Sequence, residues 1–258
     1  MKKVLILTVF ALLALGFSAC WEFDFESGNG KIETYNVAIT ESYTKVEVRG
    51  SGNINIEKGE PKDVVVQIDE NLREHLEMYV HNGTLIIDLN NSSPTKCEIN
   101  LSMPSLAGIN LSGSADVRAE GYFELPAVFE VNLSGSGDIY IKEMNADRVN
   151  VDLTGSGDAK IYGTTKDLYI DLTGSGDAQF IGKSDFTNVL VTGSGDANLD
   201  NSESTNANVQ ISGSGNVKIY VMKKLDASIS GSGNIYLYHE PETLNSHVSG
   251  SGEIVHVK

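Results

Sequence analysis

The sequence predicts an all-β chain wound as a parallel β-helix of about 19–20 residues per coil, with an irregular β-rich portion at its N-terminal end. Three observations predict it. A phrase, Gly-Ser-Gly followed by Asp or Asn and an apolar residue, returns nine times with little variation. The apolar residues around each copy keep a period of two. Only one short segment shows helical spacing.

The phrases begin at Gly50, Gly113, Gly135, Gly155, Gly174, Gly193, Gly213, Gly231 and Gly250. Their second glycines are Gly52, Gly137, Gly157, Gly176, Gly195, Gly215, Gly233 and Gly252, with Ala115 in that place in one copy. From Gly113 the intervals are 22, 20, 19, 19, 20, 18 and 19 residues, so each interval reads as one structural unit added to the last. The first interval, 63 residues, must hold something else. Of 26 glycines in the chain, 17 sit in these phrases, so the enrichment is positional and marks corners, through positive φ or close backbone approach.

Aligned on the first glycine, the positions two and four before it are apolar, as in Leu133 and Val131 or Leu172 and Ile170. The positions four and six after it are apolar too, as in Ile139 and Ile141 or Val217 and Ile219. Even offsets therefore point inward and odd offsets outward. A unit of 18–22 residues cannot bury its own apolar face, so successive coils must stack by parallel pairing. Eight coils from Gly113 would span about 40 Å at roughly 4.8 Å per coil. A second turn is expected at Gly163–Asp167.

Residues 35–105 read as strands and a hairpin, and residues 106–258 as the repeat coils. The alternating runs YNVAI, KVEVR, NINIE, DVVVQI, LEMYV and TLIIDL are bounded by turn-formers, with a hairpin at Asn82-Gly83. Between Glu70 and Tyr79, Leu72, Leu76 and Tyr79 take helical spacing after Asp69, a candidate N-cap, so a turn or two of helix is expected there.

Residues 1–19 carry two lysines and an apolar run from Val4 to about Phe17, the layout of a secretory signal. Phe17-Ser18-Ala19-Cys20 resembles a bacterial lipobox, with Phe where that pattern usually has Leu, and it makes Cys20 the candidate lipid attachment site and membrane anchor. Residues 20–34 then read as an acidic, aromatic tether. Cys97 is the only other cysteine, so no disulfide framework is available; at an apolar-alternating position it reads as a buried, inert thiol.

The formal charge is −16, and −18 once Lys2 and Lys3 leave with the signal. Nucleic acid is excluded as a partner on that ground, and the acidic surface reads as a solubilising one. Asp116, Asp138, Asp158, Asp177 and Asp196 occupy one position in five consecutive coils. Such a column reads either as a calcium-binding edge or as a row of turn acceptors. The second is favoured because Asn53, Asn216 and Asn234 take the same place, and Asn shares with Asp a side-chain acceptor and tolerance of positive φ, not charge. Outward hydroxyls flanking the first glycine and outward tyrosines (Tyr140, Tyr162, Tyr220, Tyr236, Tyr238) read as ordinary strand surface before an ice-binding or sugar-stacking platform. Four arginines and five histidines show no grouping that suits catalysis or a metal, so no catalytic residue, metal ligand or cofactor is assigned.

The chain resembles the auto-transporter adhesin head GIN domain family. The resemblance rests on VEVRGSGNINIEKGEPKDVVVQIDENL, VHNGTLIIDL and INLSMPSLAGINLSGSADV with the phrases that follow, and covers about residues 35–258. It implies a right-handed β-helix, export and no established catalytic residues. The function expected is that of a non-enzymatic, lipid-anchored protein of the bacterial cell envelope. Its rigid surface would bind a protein or glycan. A self-associating scaffold, with homo-oligomers formed through open strand edges, is the alternative; a polysaccharide-active or calcium-binding β-helix is the lesser one. Recognition is expected in the outward column five after each first glycine: Asn55, Arg118, Tyr140, Lys160, Gln179, Asn198, Lys218 and Tyr236.

Overall fold

The computed structural model describes residues 25–89, 91–124 and 127–257. The signal, Cys20 and Lys258 lie outside the described residues. The chain is 65% strand and 3% helix, arranged as a parallel β-solenoid of about seven turns with an irregular N-terminal portion.

The N-terminal portion contains β1 (Glu26–Ser27), β2 (Ile32–Val37), β3 (Lys45–Gly50), β4 (Asn53–Lys58), β5 (Val64–Asp69), β6 (Glu77–His81), β7 (Thr84–Leu89), β8 (Ser92–Ser93) and β9 (Cys97–Met103). Segment 20–34, read as a tether, thus supplies β1 and the start of β2. The repeat portion follows with β10 (Gly108–Gly113), β11 (Asp116–Glu124), β12 (Val128–Leu133), β13 (Ile139–Leu153), β14 (Ala159–Leu172), β15 (Ala178–Val191), β16 (Ala197–Ile211), β17 (Val217–Ile229), β18 (Ile235–Leu237), β19 (Thr243–Val248) and β20 (Ile254–His256).

Stacking does not follow chain order at the N-terminal end. The coil made by β3 and β4 lies between the coil of β7 and β9 on one side and that of β10 and β11 on the other. All four of these pairings are parallel and in continuous register. Gly50 therefore stacks directly beneath Gly113 although 63 residues separate them. The long interval holds most of a cap: β5 pairs antiparallel with β9 and β6 with β7, while β2, from before the first phrase, pairs antiparallel with β5. These antiparallel strands cover the open edges that a β-helix would otherwise present.

The helical turn is a 3-10 helix over Glu70–His75 and no longer. Leu72 is buried, whereas Leu76 is already extended and Tyr79 sits exposed in β6. Asp69 makes no side-chain cap bond. Its carboxylate, fully buried, turns the other way to accept from the Gly30, Thr95 and Lys96 amides and the Thr95 hydroxyl, at 2.7–3.2 Å. Those four donors outbid the helix amides. They tie the first strands to the loop before β9.

The inner columns follow the parity of the sequence. Leu133, Val131, Ile139 and Ile141, and their equivalents through Ile235 and Leu237, are buried. A further inner column, six before the first glycine, holds Phe129, Val149, Leu168, Thr187, Ala207 and Leu225. Thr187, its polar member, is satisfied in a ring of buried hydroxyls with Ser184 and Ser204, each pair 2.7–2.8 Å apart. The expected second turn at Gly163–Asp167 is absent: β14 runs unbroken through it and stays paired with β15. The change of face is taken up by one slip of burial parity, between Thr165 and Leu168, and the Thr165 hydroxyl, buried there, bonds the Asp147 and Asp167 carbonyls.

The glycines are corners for two different reasons. Gly50, Gly52 and Gly113 have φ of +106°, +143° and +140°, which L side chains rarely adopt. From Gly135 onward no glycine of the phrase has positive φ. There the requirement is space, because a Cβ on Gly155 would overlap the Gly135 carbonyl oxygen, and the same holds up the whole stack.

Candidate functional site

The Asp/Asn column forms one continuous ladder, and its direction corrects the expectation of local turn acceptors. Oδ1 of Asp116 accepts from the Asp138 amide one coil on. Asp138, Asp158, Asp177, Asp196, Asn216 and Asn234 do likewise to the next residue in the column, ending at the Glu253 amide, at 2.7–3.0 Å throughout. None of these residues has positive φ. The side chain therefore joins coils and does not shape its own turn, which is why Asp and Asn are interchangeable there. No group of three or more His, Cys, Asp or Glu able to hold a metal ion occurs among the described residues.

The outward column five after each glycine is a contiguous row. Asn55, Arg118, Tyr140, Lys160, Gln179, Asn198, Lys218 and Tyr236 are successive register partners across eight strands. At one end of the row the Arg118 guanidinium lies over the Tyr140 ring at 4.4 Å, Tyr140 packs on Tyr162 at 5.8 Å, and Lys160 reaches the Tyr162 ring at 5.4 Å. Arg118 also bonds Glu120, which holds the guanidinium's pKa above its ordinary value and Glu120's below its own. Asn55 donates to Asn100 at 2.9 Å. Asn100 extends the row below Asn55 and Glu98 extends the Asp/Asn column below Asn53; sequence reasoning missed both because their coil carries no Gly-Ser-Gly phrase and stacks out of chain order.

An open groove of about 440 Å³ lies at this end, lined by Asn53, Asn55, Glu98, Asp116, Arg118, Asp138 and Tyr140 among others. It falls where the ladder is not closed: the Asp116 amide bonds the Gly52 carbonyl, and the Asn53 side chain has no hydrogen-bond partner among the described residues. On the adjoining face, Asn110–Asn132 and Asn188–Asn208 form amide ladders, Arg148 lies over Tyr169 at 5.2 Å, and Tyr169 packs on Phe186. Asp152 on that face has its pKa raised, first by burial and then by Asp171 and Glu130.

The hydroxyls flanking the corners turn back to the preceding coil's carbonyls, as Thr154 does to Leu133 and Ser230 to Ile211, at 3.4–3.5 Å. Cys97 is buried, and burial together with Asp69 pushes its thiol up to about 11, so it is protonated and inert at neutral pH. His75 meets Glu26 and His256 meets Glu240 at separate surface points.

These features define a class: a capped parallel β-solenoid with a hydrogen-bonded Asp/Asn ladder along one outward column. The chain belongs to the family described as "Putative auto-transporter adhesin, head GIN domain", whose model matches residues 42–204 and 167–241. It is similar to a solved "putative lipid binding protein" from Parabacteroides distasonis, with 30% identity, 90% of this chain and 99% of that chain covered, and a TM-score of 0.81. A "putative adhesin" from Parabacteroides merdae shares the fold at 22% identity, covering 90% and 98% of the two chains with a TM-score of 0.82. A second from Parabacteroides distasonis does so at 20%, covering 90% and 99%, with a TM-score of 0.81. No curated protein matches this chain.

Proposed function

We propose that the protein is a non-enzymatic adhesin of the bacterial cell envelope, exported, lipid-anchored at Cys20, and binding a protein or glycan through the outward columns of its solenoid. The observation that carries this reading is the contiguous row from Asn55 to Tyr236, which varies in chemistry from coil to coil while the ladder beneath it stays constant. A constant scaffold bearing a varied row suits recognition, since a rigid surface loses little entropy on binding. The name of the Parabacteroides distasonis relative raises lipid as cargo. The interior here is filled column on column by side chains, and the membrane connection is better met by an acyl chain on Cys20.

Fractionation of cells expressing Cys20→Ser should move the protein from the membrane to the soluble fraction. Unchanged fractionation removes the anchor, and failure of the full chain to retain any protein or glycan removes the adhesin. Turnover of acidic glycans, with or without calcium, would overturn the non-enzymatic reading.

A self-associating scaffold is the second reading, favoured by the C-terminal end. There, among the described residues, β19 pairs only with β17 and β20 only with β18, and Val248 is exposed where its column below is buried. Concentration-dependent oligomers in analytical ultracentrifugation support it, and a strict monomer excludes it.

A further inference from the structure

The groove at the capped end of the row combines open volume with polar groups already held in position. Its volume lies within the range of small-molecule sites. Its polar groups are held in place by bonds on one side and open on the other. Asp116 and Asp138 each give Oδ1 to the ladder, leaving Oδ2 unengaged among the described residues. Arg118 is braced by Glu120, which takes its Nε–H, and by the Tyr140 ring. Asn55 is fixed by Asn100, and the Asn53 amide, with no partner among the described residues, faces the same space. Val117 and Tyr140 are the apolar members of the lining.

Resting on the adhesin reading above, we propose that this groove binds an uncharged saccharide chain. Paired acceptors and donors on planar groups match vicinal hydroxyls, which both donate and accept, and immobilised side chains lose little entropy when they bond. Three carboxylates against one guanidinium disfavour an acidic glycan. A folded protein partner would need an apolar anchor pocket, and none of the exposed large hydrophobic residues lines the groove.

The test uses the full chain in detergent, titrated calorimetrically with cello-, chito- and manno-oligosaccharides and, for contrast, polygalacturonate and heparin. At least one uncharged oligosaccharide should bind more tightly than either acidic polymer. Arg118→Met should weaken that binding about tenfold and Asn53→Ala several-fold, with thermal midpoints unchanged. Lys183→Ala, at an exposed position of β15 outside both the row and the groove, should leave it intact. Binding insensitive to Arg118→Met and Asn53→Ala, equally sensitive to Lys183→Ala, or stronger for the acidic polymers overturns the site. If a protein or an acidic glycan binds and no uncharged saccharide does, this groove is wrong and the adhesin stands; if nothing binds, both fall.

Discussion

Asp69 shows how one buried carboxylate organises the start of the fold. Burial alone would raise its pKa, but the Thr95 hydroxyl and the amides of Gly30, Lys96 and Thr95 outweigh it and hold the pKa below the ordinary value. The pKa is depressed in the folded state, so the stability it contributes is present above the unfolded value, ordinarily 3.8, and is lost as pH falls through the lower folded one. Asp69→Ala leaves four donors without their acceptor and should cost about 2 kcal/mol in urea unfolding at pH 7. The difference from wild type should shrink below about pH 4; a difference that is constant with pH would falsify the assignment. Asp69 was legible as a special residue before a helical turn. Its true partners were not, because Gly30 and Thr95 lie 39 and 26 residues away and only the cap brings them together.

At the scale of the element, the repeated phrase is a joint between coils. Gly155→Ala has no room beside the Gly135 carbonyl and should destabilise by about 3 kcal/mol. Gly30→Ala meets nothing within 4 Å and carries only its φ of +78°, so about 1 kcal/mol is expected. Chemical denaturation of the two variants separates crowding from backbone strain; equal costs would mean that the stack yields to the added Cβ and that crowding is not what Gly155 avoids. The ladder makes a second distinction. Asp158→Asn keeps the acceptor for the Asp177 amide and relieves repulsion from its neighbours, so its midpoint should match or slightly exceed wild type at low salt. Asp158→Ala removes the acceptor and should melt about 2 °C lower. If Asn and Ala behave alike, the cross-coil bond is not what the position provides.

For the whole molecule, the two ends differ. The N-terminal end is covered by β2, β5, β6 and the 3-10 helix, whereas the C-terminal rung places Ser246 and His256 in columns that hold Ala227 and Leu237 one coil before. In a solenoid each coil is stabilised by its neighbours, so a rung with one neighbour and a polar inner face should open first. Hydrogen exchange should show amides of β19 and β20 exchanging faster than those at Val189–Val191 by orders of magnitude. Uniform protection along the rod would mean that the C-terminal end is covered in solution, as self-association requires.

The sequence by itself determined the solenoid, its inner columns, its coil length and the row of outward residues, because side-chain parity and a fixed period are local properties that survive without coordinates. It also announced, through the 63-residue interval, that something interrupts the repeat. Only the tertiary structure decided that a coil from Thr84 to Met103 stacks beneath one formed earlier in the chain, that the aspartates bond the next coil, and that a groove opens where the ladder begins. Each of these is a contact between residues about 20 or more apart, set by the order in which coils stack, and a pattern read along one strand carries no record of that order.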